Sequence, residues 1–225
     1  MEQHLHREID ELKLAVARVG GLVEEAIGKA LTALKDGDKK LAKDVRKGDD
    51  LVDSLEVEVE ERLLKMFALY QPVARDLRFL VTALKVNNEL EHVGDLAESI
   101  ASKTRTVSND TVTNTSLNLF QMGERAQTML SKALDAFLKS DTDAARQVIA
   151  MDDEVDALHK YNHKVIRHRI KDQEITFKEE ELGLLSVSRS LERIADTATS
   201  IAEDVIYFVD ARIVRHRNKQ EDDDH

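Results

Sequence analysis

The sequence contains an internal repeat, and this repeat constrains the fold more than any other feature. Residues 30–55 align without a gap with residues 133–158, at an offset of 103 positions, and eleven aligned residues are identical. A second pair of segments, residues 86–101 and 187–202, aligns at an offset of 101. A repeat of roughly 100 residues is too long for one solenoid unit. The sequence therefore indicates two copies of one subdomain.

The composition favours a helical protein. The chain has 225 residues with only 8 glycines, one proline and 4% aromatic residues. Sheets are rich in β-branched and aromatic residues at a period of two, and this pattern is missing. The chain has no cysteine, which excludes disulfides and thiolate metal sites. We therefore expect an all-α protein.

Charge and hydropathy limit the partners and the location of the protein. The formal net charge is −11, whereas binding to nucleic acid requires a cationic surface. No apolar run approaches the ~20 residues that span a bilayer, and the polar N-terminus lacks the core of a signal peptide. We expect a cytoplasmic protein that does not bind nucleic acid and does not insert into membranes.

Heptad spacing of apolar residues predicts six long helices. Their expected ranges are about 5–35, 39–69, 72–105, 116–139, 142–171 and 178–217. Short links make consecutive helices antiparallel, so we expect tandem duplicated antiparallel three-helix bundles, either end to end or sharing one layer. Residues 1–108 form the first predicted repeat, 109–217 the second, and 218–225 a disordered acidic tail. A linker is expected at 106–115, between the two copies.

Acidic pairs recur at matched positions of the two copies. They are Asp49 with Asp53, Glu91 with Asp95, Asp152 with Asp156, and Glu192 with Asp196. Like charges four residues apart on a helix repel, and a cation between them would relieve the repulsion. If the paired helices lie antiparallel, four carboxylates converge in each bundle. Ligation by oxygen alone suits hard ions such as Mg²⁺ or Mn²⁺, or iron.

Other interpretations of these residues stay open. A single acidic pair on a helix surface is usually only solvated, and the recurrence of the pairs is what favours metal binding. Glu89 and His92 have the Glu-x-x-His spacing of di-iron helix bundles, which need two such motifs. His159 and His163 continue the face of Asp156 and are either extra ligands or solvated surface residues. We find no nucleophile–base set or phosphate loop, so no feature supports catalysis.

Several motifs resemble those of the PhoU family, the phosphate-specific transport accessory and regulatory proteins of bacteria. Gln71–Arg78 reads QPVARDLR and Leu90–Asp95 reads LEHVGD, as in the first half of that family. Leu191–Asp196 reads LERIAD and resembles the second half. The likeness runs from about residue 8 to 209, in the family's order. His92 and Ala195 depart from the usual Glu-Arg-Ile-Gly-Asp pattern, so the two copies need not be equivalent.

The resemblance implies a duplicated three-helix bundle and a regulatory function. Such proteins repress the phosphate-starvation (Pho) response and phosphate uptake, as adaptors between the ATPase subunit of a phosphate ABC transporter and a sensor histidine kinase. Some members bind iron or zinc clusters through the paired acidic motifs, and others use Mg²⁺, Mn²⁺ or no metal. By analogy the eight acids named above are metal ligands. Independently of the resemblance, exposed apolar seams on long bundles lead us to expect self-association as a homodimer. The alternatives are a metal-dependent phosphohydrolase and a purely structural helical adaptor.

Overall fold

Long helices make up most of the chain. The computed structural model describes residues 2–113, 115–172 and 175–214, and contains no strand within these ranges. Its helices are α1 Glu2–Asp36, α2 Lys39–Tyr70, α3 Ala74–Ser102, α4 Asn109–Thr113, α5 Leu119–Lys139, α6 Thr142–Asp172 and α7 Ile175–Asp210. A single 3₁₀ turn, Lys103–Arg105, follows α3. The predicted all-α class and the six long helices are confirmed.

Equivalent residues begin the second helix of each repeat. Asp38 Oδ1 accepts hydrogen bonds of 2.9 and 3.0 Å from the amides two and three residues later. Asp141, its counterpart, accepts two bonds of 3.0 Å in the same way. These caps satisfy backbone donors that the first turn of a helix leaves unpaired. Gly37 precedes the first cap with φ +67°, as the predicted end of α1 requires, and Ser140 has φ 56° at the matching position.

The apolar residues whose heptad spacing predicts the helices, which we call the seams, form most of the core. All six seam residues of α3 and all eight of α7 are buried: Ala83, Val86, Leu90, Val93, Ala97, Ile100, and Leu184, Val187, Leu191, Ile194, Ala198, Ile201, Val205, Phe208. In α1 the heptad pattern selects Ile9, Leu12, Val16, Val19, Val23, Ala26 and Ala30. Ile9 and Ala26 are only partly buried, and Ile27 rather than Ala26 is fully buried. A straight helix has 3.6 residues per turn, so its buried face rotates slowly away from a strict heptad repeat. This rotation accounts for the burial of Ile27 in place of Ala26. Gly48 of α2 was also assigned to a seam and is exposed.

The two repeats share one layer of helices. Within each repeat the three long helices contact one another, and between repeats α1 contacts α5 and α3 contacts α7. The outer helices α2 and α6 therefore flank a central layer. Phe79, Phe137 and Phe208 meet at the junction of α3, α5 and α7, with ring centroids 5.3 to 6.1 Å apart. The shared layer, rather than an end-to-end arrangement, is the one observed.

An approximate internal twofold axis relates the repeats. A Cβ atom on Gly20 would lie 2.6 Å from Leu134 Cδ1, and a Cβ on Gly123 would lie 2.5 Å from Leu31 Cδ1. Gly20 and Gly123 are equivalent positions, as are Leu31 and Leu134. The same contact is thus made twice: a leucine of α5 packs on a glycine of α1, and a leucine of α1 packs on a glycine of α5. The repeats are consequently joined in the manner of a symmetric dimer.

Several predicted boundaries are wrong. α3 begins at Ala74 rather than Pro72, because Val73 is extended with φ −127° and ψ 162°. α7 ends at Asp210 rather than Arg217, where Ala211 takes the left-handed φ of 55°. The predicted linker contains α4, which Ser108 caps by accepting a 3.2 Å bond from the Thr111 amide. The predicted tail 218–225 lies outside the described residues, and the division at 108 stays a prediction.

Candidate metal centre

The acidic pairs of α2 and α3 line one groove, which we call the first groove. One oxygen atom from each of Asp49, Asp95 and Glu98 lies within 4.8 Å of the others. One turn further along, Asp53 and Glu91 are close enough to interact electrostatically. Because α2 and α3 are antiparallel, residue 49 lies opposite residue 95, and residue 53 lies opposite residue 91. Two of the four predicted carboxylates, Asp49 and Asp95, thus converge with Glu98, and Asp53 and Glu91 lie one turn away.

Burial and crowding raise the pKa values of Asp49 and Glu91 in this groove. The pKa of Asp49 is raised to about 6, first because burial removes the carboxylate from water. The negative charges that add to this effect are those of Asp53, Asp95, Glu98 and Glu91. The pKa of Glu91 is also raised, by burial and then by Asp95 and Asp53. Like charges held this closely favour either a proton or a cation between them.

The second groove lies between α6 and α7 and contains Asp152, Asp156, Glu192 and Asp196. Within the described residues, however, no three ligand atoms of acids or histidines lie within 4.8 Å of one another in this groove. The pKa of Asp152 is raised to about 6, first by burial and then by the charges of Asp196 and Asp156. Burial raises the pKa of Glu192 as well, and Asp196 and Asp156 add to it. Asp156 also forms an ion pair of 3.0 Å with Lys160. The four predicted acids of this groove thus influence one another electrostatically without forming a group as compact as that of Asp49, Asp95 and Glu98.

Glu98 was missed by the sequence analysis and makes the two grooves different. It follows Asp95 by three residues on the same helical face, a spacing that continues the Glu91–Asp95 series. Arg46 Nε lies 3.2 Å from Glu98 Oε1. At the equivalent positions the second repeat has Thr199 and Ile149. The first groove therefore carries a pair of Glu98 and Arg46 that the second lacks, whereas the charges of Arg189 and Arg193 act on Glu192 in the second.

The Gly94 position also distinguishes the grooves. A Cβ atom on Gly94 would lie 2.9 Å from Asp49 Oδ1, which is closer than such contacts normally allow. The second repeat has Ala195 at this position. Glycine thus lets the Asp49 carboxylate approach the backbone of α3. Ala195, which departs from the family pattern, has a Cβ atom at the corresponding place in the second groove.

A third layer of polar residues extends each groove by one turn. In the first groove Asn87 is fully buried and its Nδ2 donates to the Glu56 backbone carbonyl at 2.9 Å and to Glu56 Oε1 at 3.3 Å. In the second groove His159 Nδ1 lies 3.0 Å from Oγ of the buried Ser188. Glu56 corresponds to His159 and Asn87 to Ser188. Each groove thus ends in a side chain held by a buried polar residue of the facing helix.

The Glu-x-x-His motif lies elsewhere. His92 Nε2 lies 2.7 Å from Arg193 Nη2 of the other repeat. The pKa of Glu89 is raised mainly by burial, against the effect of His92, and Asp204 of α7 adds to the rise. Both residues therefore face the α3–α7 contact rather than the first groove. The motif does not contribute to the acidic site.

The donor set fits a divalent cation. Carboxylate oxygens are the ligands that hard ions prefer, and three are within 4.8 Å of one another in the first groove. Burial is the first cause of the raised pKa of Asp49, and repulsion from the neighbouring acids is the second; a bound cation would remove that repulsion. This arrangement can bind a cation between two antiparallel helices, and the bound cation would neutralise the acids.

Comparisons with known proteins agree over most of the chain. The PhoU domain profile matches residues 16–104 and 119–205, one segment in each repeat. A phosphate-specific transport system accessory protein PhoU homolog of Aquifex aeolicus is 37% identical over 218 residues, 96% of this chain and 98% of that protein. The Pseudomonas aeruginosa homolog is 32% identical over 218 residues, covering 96% and 89%.

Solved structures match the fold as well. The crystal structure of PhoU from Pseudomonas aeruginosa superposes with a TM-score of 0.83 and 31% identity, over 92% of this chain and 99% of that one. The phosphate transport system regulatory protein PhoU from Streptococcus pneumoniae gives a TM-score of 0.84 and 28% identity, over 95% and 98%. Among the described residues, none of the helices combines the length and apolarity needed to cross a membrane.

Proposed function

The chain belongs to the PhoU family, and from this membership we propose that it is a regulatory accessory protein of a phosphate-specific transport system. In this role it represses phosphate uptake and the phosphate-starvation response when phosphate is plentiful. The observation that carries the proposal is the match of both repeats to the family, over residues 16–104 and 119–205. The acids that converge between α2 and α3, together with the matched acids between α6 and α7, support it.

We further propose that the protein works in the cytoplasm as an adaptor between the transporter's ATPase subunit and a sensor histidine kinase. An adaptor needs two contact surfaces that are related but not identical. Duplication followed by divergence supplies them, since Arg46 and Glu98 of the first repeat are replaced by Ile149 and Thr199 in the second. The proposed activity is binding, without turnover of a substrate.

Divalent cations are proposed to occupy the two grooves. In the first groove Asp49, Asp53, Glu91 and Asp95, joined by Glu98, would hold the ion. In the second groove Asp152, Asp156, Glu192 and Asp196 would do so. A bound ion neutralises these acids and connects the outer helix of each repeat to the central layer. The surfaces offered to a partner then depend on the occupancy of the grooves.

The regulatory proposal is tested in a bacterial strain that lacks its own PhoU protein. A phosphate-responsive reporter is measured in high phosphate with the wild-type chain, with Glu91→Gln/Asp95→Asn/Glu192→Gln/Asp196→Asn, and with Asp50→Asn/Asp153→Asn. Asp50 and Asp153 are exposed acids beside the pairs and serve as the matched control. We expect repression by the wild type and the control only. Full repression by the quadruple variant would show that the grooves have no part in signalling.

Binding and metal content are tested with the purified untagged chain. We expect saturable binding to the transporter ATPase subunit or to the cytoplasmic part of the kinase, and elemental analysis to find metal in the wild type but not in the quadruple variant. Turnover of phosphate esters with Mg²⁺ or Mn²⁺, abolished by Glu91→Gln, would instead favour the phosphohydrolase. Absence of metal together with unchanged partner binding would favour the purely structural adaptor.

A further inference from the structure

We propose that the exposed strip along the contact of α3 and α7 docks an amphipathic helix of a partner protein, and that cationic side chains of this helix enter a cavity beside Glu89 and Glu203. The strip, which we call the α3–α7 strip, runs past His92 and Arg193 and lies between the two grooves. The inference rests on the adaptor part of the proposed function and deepens it, because it names one contact surface and the chemistry of its partner.

The cavity lies at one end of the α3–α7 strip. It has a volume of about 300 Å³ and is lined by Lys85, Asn88, Glu89, Ser200, Glu203 and Asp204. Lys85 Nζ lies 3.3 Å from Asp204 Oδ1. Burial raises the pKa of Glu89 against the effect of His92, and the charge of Asp204 adds to the rise. Three carboxylates thus share the cavity with one lysine, and their repulsion favours the entry of another cation.

The internal twofold axis gives the cavity a counterpart of opposite charge at the other end of the strip. At the offset of 101, the residues of the cavity correspond to Ser186, Arg189, Ser190, Ser99, Ser102 and Lys103. Two cations and four serines thus replace three carboxylates and one lysine. Asn88 and Ser200 at one end, and Arg189 at the other, are exposed. The α3–α7 strip is therefore negative at one end and positive at the other, and both ends are open to solvent.

Exposed apolar residues lie beyond the charges at both ends of the strip. Val81 is 36% exposed and its equivalent Leu182 is 53% exposed, while Leu84 and Leu185, one turn further in, are partly buried. The contacts between α3 and α7 set their antiparallel register, which separates Val81 from Leu182 by the length of about 24 helical residues, or ~36 Å. A partner helix of about seven turns would reach both apolar pairs.

Shape and charge favour a single helix of another protein as the occupant. Two helices lying side by side leave a straight depression between them, into which the side-chain ridge of a third helix fits. Asp95 and Asp196 of the grooves are exposed on either side of the strip and make its surroundings negative. A second copy of this chain, with its net charge of −11, would place its own groove acids over these acids and be repelled. A partner helix with cationic residues is attracted instead.

The test measures the binding of two synthetic helical peptides of about 24 residues to the full-length untagged chain by fluorescence anisotropy. Both peptides have the same composition, with leucines near both ends of one face. The first has its arginines at one end and its glutamates at the other, and the second alternates them. We expect the first peptide to bind about tenfold more tightly, because only its charges match both ends of the strip. Equal affinity of the two peptides, or binding of neither, overturns the inference.

Charge reversals on the protein locate the binding surface. Glu203→Arg at the cavity and Arg189→Glu at its counterpart should each weaken the binding of the first peptide by about tenfold. Glu58→Arg and Lys132→Glu are the matched controls, because these exposed residues line clefts beside α1 instead, and they should match the wild type. Urea unfolding confirms that each variant is folded. An equal loss in the variants and the controls contradicts docking on the strip.

Photo-cross-linking gives the direction of the bound helix. A cross-linker at the cationic end of the first peptide should attach near Lys85 and Asp204, and one at the acidic end near Lys103 and Arg189. Equal labelling of both places from either end is incompatible with docking by charge. A dimer of the wild type that Glu203→Arg dissociates in sedimentation would assign the strip to a second copy and overturn the inference.

Binding of the proposed partners separates this inference from the proposed function. If the wild type binds neither the transporter ATPase subunit nor the cytoplasmic part of the kinase, the adaptor proposal fails and this inference fails with it. If these proteins bind the wild type and Glu203→Arg equally well, only this inference fails. We expect one of them to lose about tenfold in affinity for Glu203→Arg and to bind Glu58→Arg as it binds the wild type.

Discussion

His92 Nε2 lies 2.7 Å from Arg193 Nη2, and these two residues occupy the same position in the two repeats. Arginine can only donate hydrogen bonds, so His92 accepts this one through an unprotonated Nε2. The contact lies between α3 and α7, close to the internal twofold axis, where each repeat meets its own counterpart. Two arginines at this position would bring two guanidinium groups together. The departure of His92 from the family pattern therefore provides a complementary pair.

The first prediction concerns this contact. His92→Arg should destabilise the protein by about 1 kcal/mol, because a hydrogen bond is replaced by like-charge repulsion that solvent partly screens. For a chain of this length the melting temperature should fall by roughly 2–4 °C. His163→Arg adds the same side chain at an exposed site of α6 and should change it by less than half as much. Equal shifts in the two variants would mean that the contact does not stabilise the interface.

The glycine contacts between α1 and α5 give a second prediction. Gly123→Ala places a Cβ atom 2.5 Å from Leu31 Cδ1, whereas a Cβ on Gly21 meets nothing within 4 Å. Overpacking a core costs about 1–3 kcal/mol, which exceeds the gain of about 1 kcal/mol from replacing glycine by alanine in a helix. Gly123→Ala should therefore be less stable than the wild type, and Gly21→Ala more stable. Urea unfolding of both variants measures the difference.

A third prediction uses the glycine beside the first groove. Gly94→Ala places a Cβ atom 2.9 Å from Asp49 Oδ1, so the carboxylate has to move away from Asp95 and Glu98. We expect about tenfold weaker binding of Mn²⁺ at the first groove, in the range seen when groups that orient metal ligands are changed. Ala195→Gly is the matched control in the second repeat and should leave the first groove unchanged. Calorimetric titration with Mn²⁺ distinguishes the two variants.

The fourth prediction concerns pH. The pKa of Asp49 is raised from 3.8 to about 6 in the folded protein. Between these values the folded state binds more protons than the unfolded state, so stability is lost as the pH rises through about 6. Asp49→Asn removes this effect and should stabilise the metal-free protein by about 1 kcal/mol at about pH 8, a value reduced for partial exposure. Near pH 4 the gain should disappear.

Urea unfolding at both pH values, in the presence of a chelator, measures this difference. Asp50→Asn, at the exposed neighbouring acid, is the control and should show no such dependence on pH. With Mn²⁺ present the order should invert, because the wild type keeps a ligand that Asp49→Asn has lost. A gain in stability that is the same at both pH values would contradict the assigned cause.

The pattern of the sequence was sufficient to predict the helices and the helical faces that carry the acidic pairs, but not the full set of acids in the first groove. Heptad seams recur only if a helix buries one face, so the seam of α7 could be recognised residue by residue. The spacing of Asp152 and Asp156 likewise placed both on one face without coordinates. Helix boundaries were harder to predict. The extended backbone of Val73 delays the start of α3, and the left-handed backbone of Ala211 ends α7, although neither residue type demands these angles. Glu98 was missed because Thr199 replaces it in the second copy, and the comparison of repeats concealed it.

The sequence by itself determined that this protein is a duplicated set of long helices with acids at matched positions, because helical periodicity and internal repetition are local properties of the chain. Only the tertiary structure decided that the repeats share a layer through Gly20 and Gly123, that His92 faces Arg193, and that Glu98 joins Asp49 and Asp95. These contacts depend on how close two helices come and at which rotation they meet. Side-chain volume at the interface sets both, and it acts between residues that are far apart in the chain.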